Sequence, residues 1–445
     1  MTGFSEVARQ LTHIFAGSFA LLLRWTNWWQ AAALALIALA FNVLLLPSVN
    51  RSVFRPGDLD RVMRSGIAIY PLSVLTLILC FPERPDIVAV SWIVLAVGDG
   101  LATMVGAHVR TAALPWNRAK SVGGLLAGAI GAAIAGVAIA VWTAWGMSAP
   151  PPQWFLIVAP VAAAIVAALV ETAPIRLNDN ISVPFAAALV LWSLSHGTSD
   201  AFHAALPLLM SRLPAAIGVN VVFGVLGWRA KTVTVSGAVI GGLIGVAAWT
   251  SVGAAGWLML FAAFAAAAAT TRMGHRRKQQ LGIAEARGGR RGPGNAIANT
   301  IVAVWAMVVG VGMSDPSAAL IVAVAALATT ASDTVASEVG KAWGRTTMLV
   351  TSFRRVPPGT SGAISLEGTV AGAVGAALLA SIGAGLGLVP WLTVLPISVA
   401  AVLASFAEGW LAVWLEPSGV LDNDALNLLN SLIGALLALL WWTLR

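Results

Sequence analysis

The chain has 445 residues, 59% of them apolar and 10% charged, with a formal net charge of +8 and a single cysteine. That composition excludes a soluble globular domain and a disulfide-stapled one, and belongs to a protein threaded repeatedly through a membrane. The positive balance is not a nucleic-acid footprint: of the 26 Lys and Arg, only Arg24, Arg84, Arg212 and Arg445 fall outside segments 1–10, 51–65, 108–120, 172–181, 228–231, 271–294, 339–365 and 416–425. Those segments alternate with apolar runs and are expected on the cytoplasmic side of a bacterial-type inner membrane, with the N-terminus inside and the C-terminus outside.

Taken in chain order, apolar runs predict helices over 11–28, 30–49, 66–82, 88–107, 122–146, 153–171 and 182–197. A joining helix follows at 203–227. A second set runs 232–250, 254–270, 295–313, 317–338, 368–388, 391–415 and 426–443. Runs 122–146 and 368–388 are rich in Ala and Gly, which suits close helix packing in lipid. Seven is odd, so two directly joined sets would have opposite orientations, and the joining helix restores the same one. The expected fold is an all-α polytopic membrane protein of about 15 transmembrane helices, built as two parallel seven-helix repeats joined by one extra helix. Two membrane domains are expected, at 1–200 and 201–445.

Polar groups recur within this frame. Gly98-Asp99-Gly100 is followed 21 residues later by Lys120, and Ser332-Asp333-Thr334 is followed 21 residues later by Arg354. Lone acids end further apolar runs at Glu171 and Glu408, 72 and 75 residues after the two aspartates. Asp-Asn pairs come next, Asp179-Asn180 and Asp422-Asn423. Acids at membrane-helix ends are costly and mark functional sites, so paired sets suggest two related sites. Taken singly, each acid also reads as a solvated loop residue, and the recurrence favours the site.

On a helix, Asp333 and Ser337 share a face one turn apart with Glu338 close by, an oxygen set suited to Mg²⁺. Glu408, Asp422, Asn423, Asp424 and Asn427 would complete that metal shell. Arg354 and Arg355 can grip phosphate oxygens, and the turn Gly359-Thr360-Ser361-Gly362 running into the next helix can present backbone N–H groups to an anion. No Walker pattern is present. Arg291, Asn295 and Asn299 either add phosphate contacts or belong to a segment that anchors the topology. In the first half, Asp99 and Thr103 lie one turn apart. Lys120 and Ser121, with Asn117 in the same loop, are the expected phosphate contacts, and Glu171, Asp179 and Asn180 would complete a metal shell begun by Asp99. Asp99, Asp333 and Glu338 are the expected catalytic carboxylates. His13 reads as a packed or interfacial histidine.

These segments resemble known families. The second half, 205–445, resembles a membrane family that includes the phytyl-phosphate kinases of tocopherol biosynthesis. The matching residues are Gly289 to Gly292 with Asn295 and Asn299, the run from Ser332 to Glu338, the run from Val356 to Gly362, and the run from Leu421 to Asn427. The first half, 1–200, resembles the phytol kinase and dolichol kinase family on Arg9 with His13, Gly98 to Ala102, Pro115-Trp116-Asn117 with Lys120-Ser121, Glu171, and Asp179-Asn180 with Pro184. The resemblance implies a fusion of two consecutive kinases that use CTP as phosphate donor together with Mg²⁺. The first would convert an isoprenoid alcohol such as phytol or geranylgeraniol to its monophosphate, and the second would convert the monophosphate to a diphosphate. The implied partners are that alcohol, its monophosphate, a nucleoside triphosphate and membrane lipid. Two other functions use similar parts. One is a membrane cytidylyltransferase making a CDP-linked lipid with release of pyrophosphate. The other is a parallel-repeat transporter, which predicts acids near mid-membrane rather than near one face.

Overall fold

The computed structural model describes residues 6–49, 65–109, 111–174, 178–285, 289–417 and 421–445. The basic stretch expected at 51–64, together with Arg110, Arg176 and Arg287, lies outside the described residues. The described residues form two compact units. The first ends at His196 and the second begins at Gly197, with Pro174 belonging to the second.

In the first unit, α1 (Glu6–Gly17) runs on as a 3-10 segment (Ser18–Arg24), so the single helix expected over 11–28 is tightened and then stopped. Asn27 stops it: its side chain accepts from the Gln30 N–H, and the Gln30 side chain accepts from the Asn27 N–H, both at 3.1 Å. This reciprocal cap starts α2 (Trp28–Ala40), which continues through a π-turn (Phe41–Leu45) into α3 (Leu46–Val49). Then come α4 (Gly66–Cys80), α5 (Pro85–His108), α6 (Val122–Ala144), α7 (Gln153–Glu171) and α8 (Asp179–Ser195). Pro85 opens α5, where its missing N–H has no helical partner to lose. Helix α5 is central, buried against α6 and flanked by α1, α7 and α8.

The second unit contains α9 (Ser199–Arg229), α10 (Val235–Val252), α11 (Ala254–Arg272), the short α12 (His275–Gln280), α13 (Pro293–Gly310) and α14 (Ser317–Trp343). After a loop come α15 (Leu366–Gly385), α16 (Val394–Leu415) and α17 (Asn423–Thr443). Helix α14 is the axis of this unit and packs on α11, α13, α15, α16 and α17. Its middle is fully buried through Ala323, Ala325, Ala326 and Ala328, whose small side chains let the surrounding helices close in.

Twelve helices among the described residues are long and apolar enough to cross a bilayer. Helices α4 and α8 are apolar but shorter, at 15 and 17 residues. The chain is not wholly helical. Strand β1 (Thr347–Leu349) pairs antiparallel with β2 (Ala363–Ser365), Met348 standing opposite Ile364. Strands of three residues carry too little alternation to be read from sequence.

In each unit the helix bearing the expected catalytic aspartate closes on the next helix through glycine. Ser121 caps α6 by accepting from the Gly124 N–H at 3.2 Å, and Ser365 caps α15 by accepting from the Gly368 N–H at 3.1 Å. A Cβ on Gly124 would stand 2.8 Å from the Ala102 carbonyl oxygen, and one on Gly128 3.0 Å from that of Gly98. In the second unit a Cβ on Gly368 would stand 2.5 Å from the Ala336 carbonyl oxygen, and one on Gly372 2.7 Å from that of Ser332. Both seams are backbone-to-backbone contacts that admit no larger residue.

Helix α12 is held by one buried ion pair. Lys278 is 1% exposed, and its ammonium donates to the Thr271 carbonyl at 2.7 Å and to the Glu338 carboxylate at 2.5 Å. The pair ties the end of α11 to the axial helix α14.

Replacing Gly372→Val is expected to cost about 1–3 kcal/mol of stability by overpacking the seam. Thermal unfolding in detergent reads this, and an unchanged midpoint would mean that α14 and α15 part without penalty. Lys278→Met is expected to cost at most about 3 kcal/mol, because the buried Glu338 carboxylate keeps only Lys341 at 3.2 Å, and combining it with Glu338→Gln should recover part of that loss.

Candidate active site

A cavity of about 380 Å³ opens in the second unit. Asp333, Ser337 and Glu338 reach it from α14, Glu408 from α16, and Asn423 and Asn427 from the start of α17. Arg291 and Asn295 line it from the α13 side, and Gly359, Thr360, Ser361 and Gly362 from the loop before β2. Residues spread over more than 130 positions of sequence therefore meet at one place.

Other expected site residues lie elsewhere. Arg354 and Arg355 are exposed and do not line the cavity; the Arg354 carbonyl instead accepts from the Leu349 N–H at 2.9 Å beside the ribbon. The 21-residue spacing that paired Arg354 with Lys120 has no structural counterpart, since Lys120 directly precedes the Ser121 cap whereas Ile364 directly precedes the Ser365 cap. Asn299 is buried on α13, donating to the Asn295 carbonyl at 2.8 Å. Asp422 caps α17 by accepting from the Ala425 N–H at 2.9 Å. Asp424 lies against the start of α13 at Gly294.

Within the cavity the acids differ in their partners. The Glu338 carboxylate is shared between Lys278 and Lys341, the latter at 3.2 Å. Ser361 donates its hydroxyl to Glu416, an acid that also lines the cavity. Asp333 and Glu408 make no hydrogen bond or ion pair among the described residues; Asp333 and Glu416 both repel Glu408, while Asp333 is attracted by Lys341 and repelled by Glu338. Carboxylates that face one another without a direct partner favour a cation between them. Among the described residues no three His, Cys, Asp or Glu side chains converge as a metal cage. Mg²⁺ needs none, because it takes one or two protein carboxylates and fills its octahedron with water and phosphate oxygens. The donor set of Asp333, Glu408 and the two Asn side chains fits that habit.

Arg291 supplies the positive side. Its guanidinium donates to Asn295 Oδ1 at 2.6 Å, while its backbone is pinned at 2.9 Å to the Thr232 carbonyl. Burial holds the guanidinium below the usual arginine value, although it stays charged. A second cavity, about 360 Å³ and lined by Lys231, Arg272, His275 and Arg291, lies beside it. Gly359 and Gly362 both have positive φ, 87° and 70°, so the Gly-Thr-Ser-Gly turn depends on glycine at each end.

The first unit carries a different constellation. His13 Nδ1 lies 3.4 Å from Asp99 Oδ2, and the His13 ring meets Tyr70 edge-on at 4.4 Å. His13 Nε2 is buried with no hydrogen-bond partner among the described residues. Lys120 donates to Glu171 at 2.8 Å. Burial alone would pull the Lys120 ammonium down, but Glu171, with Asp179 and Asp99 behind it, holds it above the usual lysine value. Asn117 and Ser121, expected on phosphate, are engaged locally: Asn117 donates to the Thr172 carbonyl at 3.1 Å, and Ser121 caps α6. Asn180 packs beside Gly66. Sequence reasoning did not place His13 on Asp99, nor Lys278, Lys341 and Glu416 at the second cavity, because no fixed spacing links residues that only packing brings together.

Comparison with known proteins matches residues 218–435 to the family described as integral membrane protein DUF92. An uncharacterized membrane protein of Synechocystis is 37% identical over 200 residues, covering 44% of this chain and 78% of its own. Protein VTE6, chloroplastic, of Arabidopsis thaliana is 34% identical over 248 residues, covering 53% and 74%. Probable phytol kinase 3, chloroplastic, of Glycine max is 28% identical over 203 residues, covering 42% and 62%. No solved structure matches the chain. The matched stretch contains the acid-lined cavity, the Arg291 segment and the helices that enclose them, and the chain belongs to the DUF92 family of integral membrane proteins.

Proposed function

We propose that this protein is an integral-membrane isoprenoid kinase with two phosphotransferase sites. The first unit phosphorylates a prenol, and the second phosphorylates the resulting prenyl monophosphate to the diphosphate, each using CTP and Mg²⁺. The observation that carries the reading is a pair of carboxylates without a direct hydrogen-bond or ion-pair partner among the described residues, Asp333 and Glu408, facing a cavity that also holds Arg291 and the Gly-Thr-Ser-Gly turn. A cation site beside an anion site is what phosphoryl transfer requires, since the protein's work there is positioning and charge neutralisation. The names of the phytol kinase relatives support the same chemistry. CTP as donor rests on the resemblance of the first half to the phytol and dolichol kinases.

The parallel-repeat reading is supported by the glycine seams. In both units a serine caps the helix after the aspartate helix, and two glycines four residues apart rest on carbonyls of that helix. The basic segments that follow each aspartate support a cytoplasmic position for each site, where the nucleotide is.

At the second site Asp333 and Glu408 would hold Mg²⁺, which when bound neutralises charge on the donor phosphates. Arg291, held by Asn295, orients the acceptor phosphate, and the basic cavity beside it takes the donor's remaining phosphates. An acceptor oxygen attacks the γ-phosphorus, the bond to the β-phosphate oxygen breaks, and the nucleoside diphosphate leaves. The acceptor is already an anion, so no base is needed. At the first site the acceptor is a neutral hydroxyl, and its proton needs a destination. His13 Nε2 provides one, with Asp99 on Nδ1 fixing the tautomer and stabilising the imidazolium.

The test uses purified protein, Mg²⁺, γ-labelled CTP and geranylgeraniol or its monophosphate, with separation of labelled lipids. Asp333→Asn is expected to cut diphosphate formation at least about 100-fold while alcohol phosphorylation persists. Diphosphate made at the normal rate would sink the assignment, and release of pyrophosphate in place of CDP would reassign the protein to nucleotidyl transfer. His13→Gln is expected to cut alcohol phosphorylation by about 10²–10⁴-fold. Monophosphate phosphorylation by the same variant should persist, and equal loss of both steps would point to a folding defect instead.

A further inference from the structure

An apolar cavity of about 190 Å³ lies among α9, α10, α11 and α13, lined by Phe223, Trp257, Phe261 and Phe264 and floored by glycines of α10. It shares Arg291 and Asn295 with the acid-lined cavity, so one end is ionic and the other is hydrocarbon. On the α10 wall Gly237 lies against the Arg291 carbonyl, while Gly245 lies against Asn220 two turns further on. The groove therefore runs about 12 Å along α10, away from the Arg291 backbone. Its far end is closed by Asn220, which accepts from Trp257 Nε1 at 3.1 Å. Between the ends, a Cβ on Gly241 or Gly242 would meet nothing within 4 Å. That is vacant space and not a packed seam of the kind found at Gly368 and Gly372. Helix α9, which forms one wall, is only 6% buried along its most apolar window and so borders the bilayer.

We infer that this groove seats the isoprenoid tail of the monophosphate acceptor while Arg291 and Asn295 hold its phosphate at the edge of the acid-lined cavity. The inference rests on the kinase reading above and adds where the chain lies and which residues measure its length. The occupant follows from charge and shape together. An amphiphile with one anionic end and a methyl-branched hydrocarbon end matches a slot that begins at Arg291 and Asn295, whose side chain holds the guanidinium, and continues between aromatic rings and bare backbone. Aromatic faces and glycine floors suit flat, methyl-bearing isoprene units, which need width without polar contact. Entry from the side past α9 keeps the tail in hydrocarbon throughout, so no apolar surface crosses water.

Side chains grown from Gly241 and Gly242 would enter the groove without displacing a neighbour. Gly241→Leu and Gly242→Leu are therefore expected to lower the ratio of kcat/KM for geranylgeranyl monophosphate over dimethylallyl monophosphate by at least about tenfold. The measurement uses full-length protein in detergent with Mg²⁺ and γ-labelled CTP. A second readout is independent of turnover: a geranylgeranyl monophosphate carrying a diazirine near the tail end is photolysed on the protein, and the labelled peptides are mapped. Label on the peptides spanning 220–264, lost in Gly241→Leu, supports the groove. An unchanged chain-length ratio in both variants, or label confined to other helices, overturns it. Wild-type protein that labels in the groove yet transfers no phosphate would overturn the kinase reading and leave the groove standing as a prenyl-phosphate site.

Discussion

The constraint on which this structure turns is the cost of putting carboxylates among apolar helices. An ionised acid in a low-dielectric setting needs a matching charge, a set of donors or an opening to water. The chain uses each answer. Glu338 has two lysines, Glu171 has Lys120, Asp99 has His13, and Asp422 caps a helix. Asp333 and Glu408 have no direct partner among the described residues and take the third answer, facing a cavity. The compensated acids organise the helix ends; the uncompensated pair is what remains for chemistry.

Lys278 shows how closely structure and site are joined. It satisfies Glu338, but it also spends two more donors on the Thr270 and Thr271 carbonyls at the end of α11. Thr271 in turn stands within 3.5 Å of the Arg291 guanidinium. A single ammonium thus fixes the acid helix, the end of α11 and, through Thr271, the arginine that borders three cavities. Arg291 is where polar, basic and apolar spaces meet.

Much of this was legible in the sequence, and the reasons differ by element. Span positions followed from apolar runs, because a bilayer imposes a length that composition alone reports. The residues from Asp333 to Glu338 and from Gly359 to Gly362 were found as clusters, since a polar group persisting in an apolar chain needs a cause. The Arg354 assignment rested on counting from the aspartate, and counting fails when one loop holds a three-residue ribbon where the other, among the described residues, holds a single bridge between Ala113 and Ser121. Two arginines exposed beside a strand look the same in sequence as two arginines on a phosphate. His13 against Asp99 and Lys278 against Glu338 join positions 86 and 60 residues apart, which only tertiary packing specifies. The apolar groove was invisible for a further reason: glycines that leave room and glycines that close a seam are the same letter.

The glycine seams have a mechanical consequence. Where backbone rests directly on backbone, neighbouring helices behave like toothed racks: a slide of one or two residues would drive a side chain into a carbonyl, and the nearest alternative engagement is a full helical pitch away, about 5.4 Å. The depth of Asp99 relative to α6, and of Asp333 relative to α15, is therefore indexed in whole turns instead of adjusting continuously. A catalytic acid mounted on such a rack keeps its place as the lipid around it thickens or thins, so changes in bilayer composition reach the reacting atoms only through the looser outer helices.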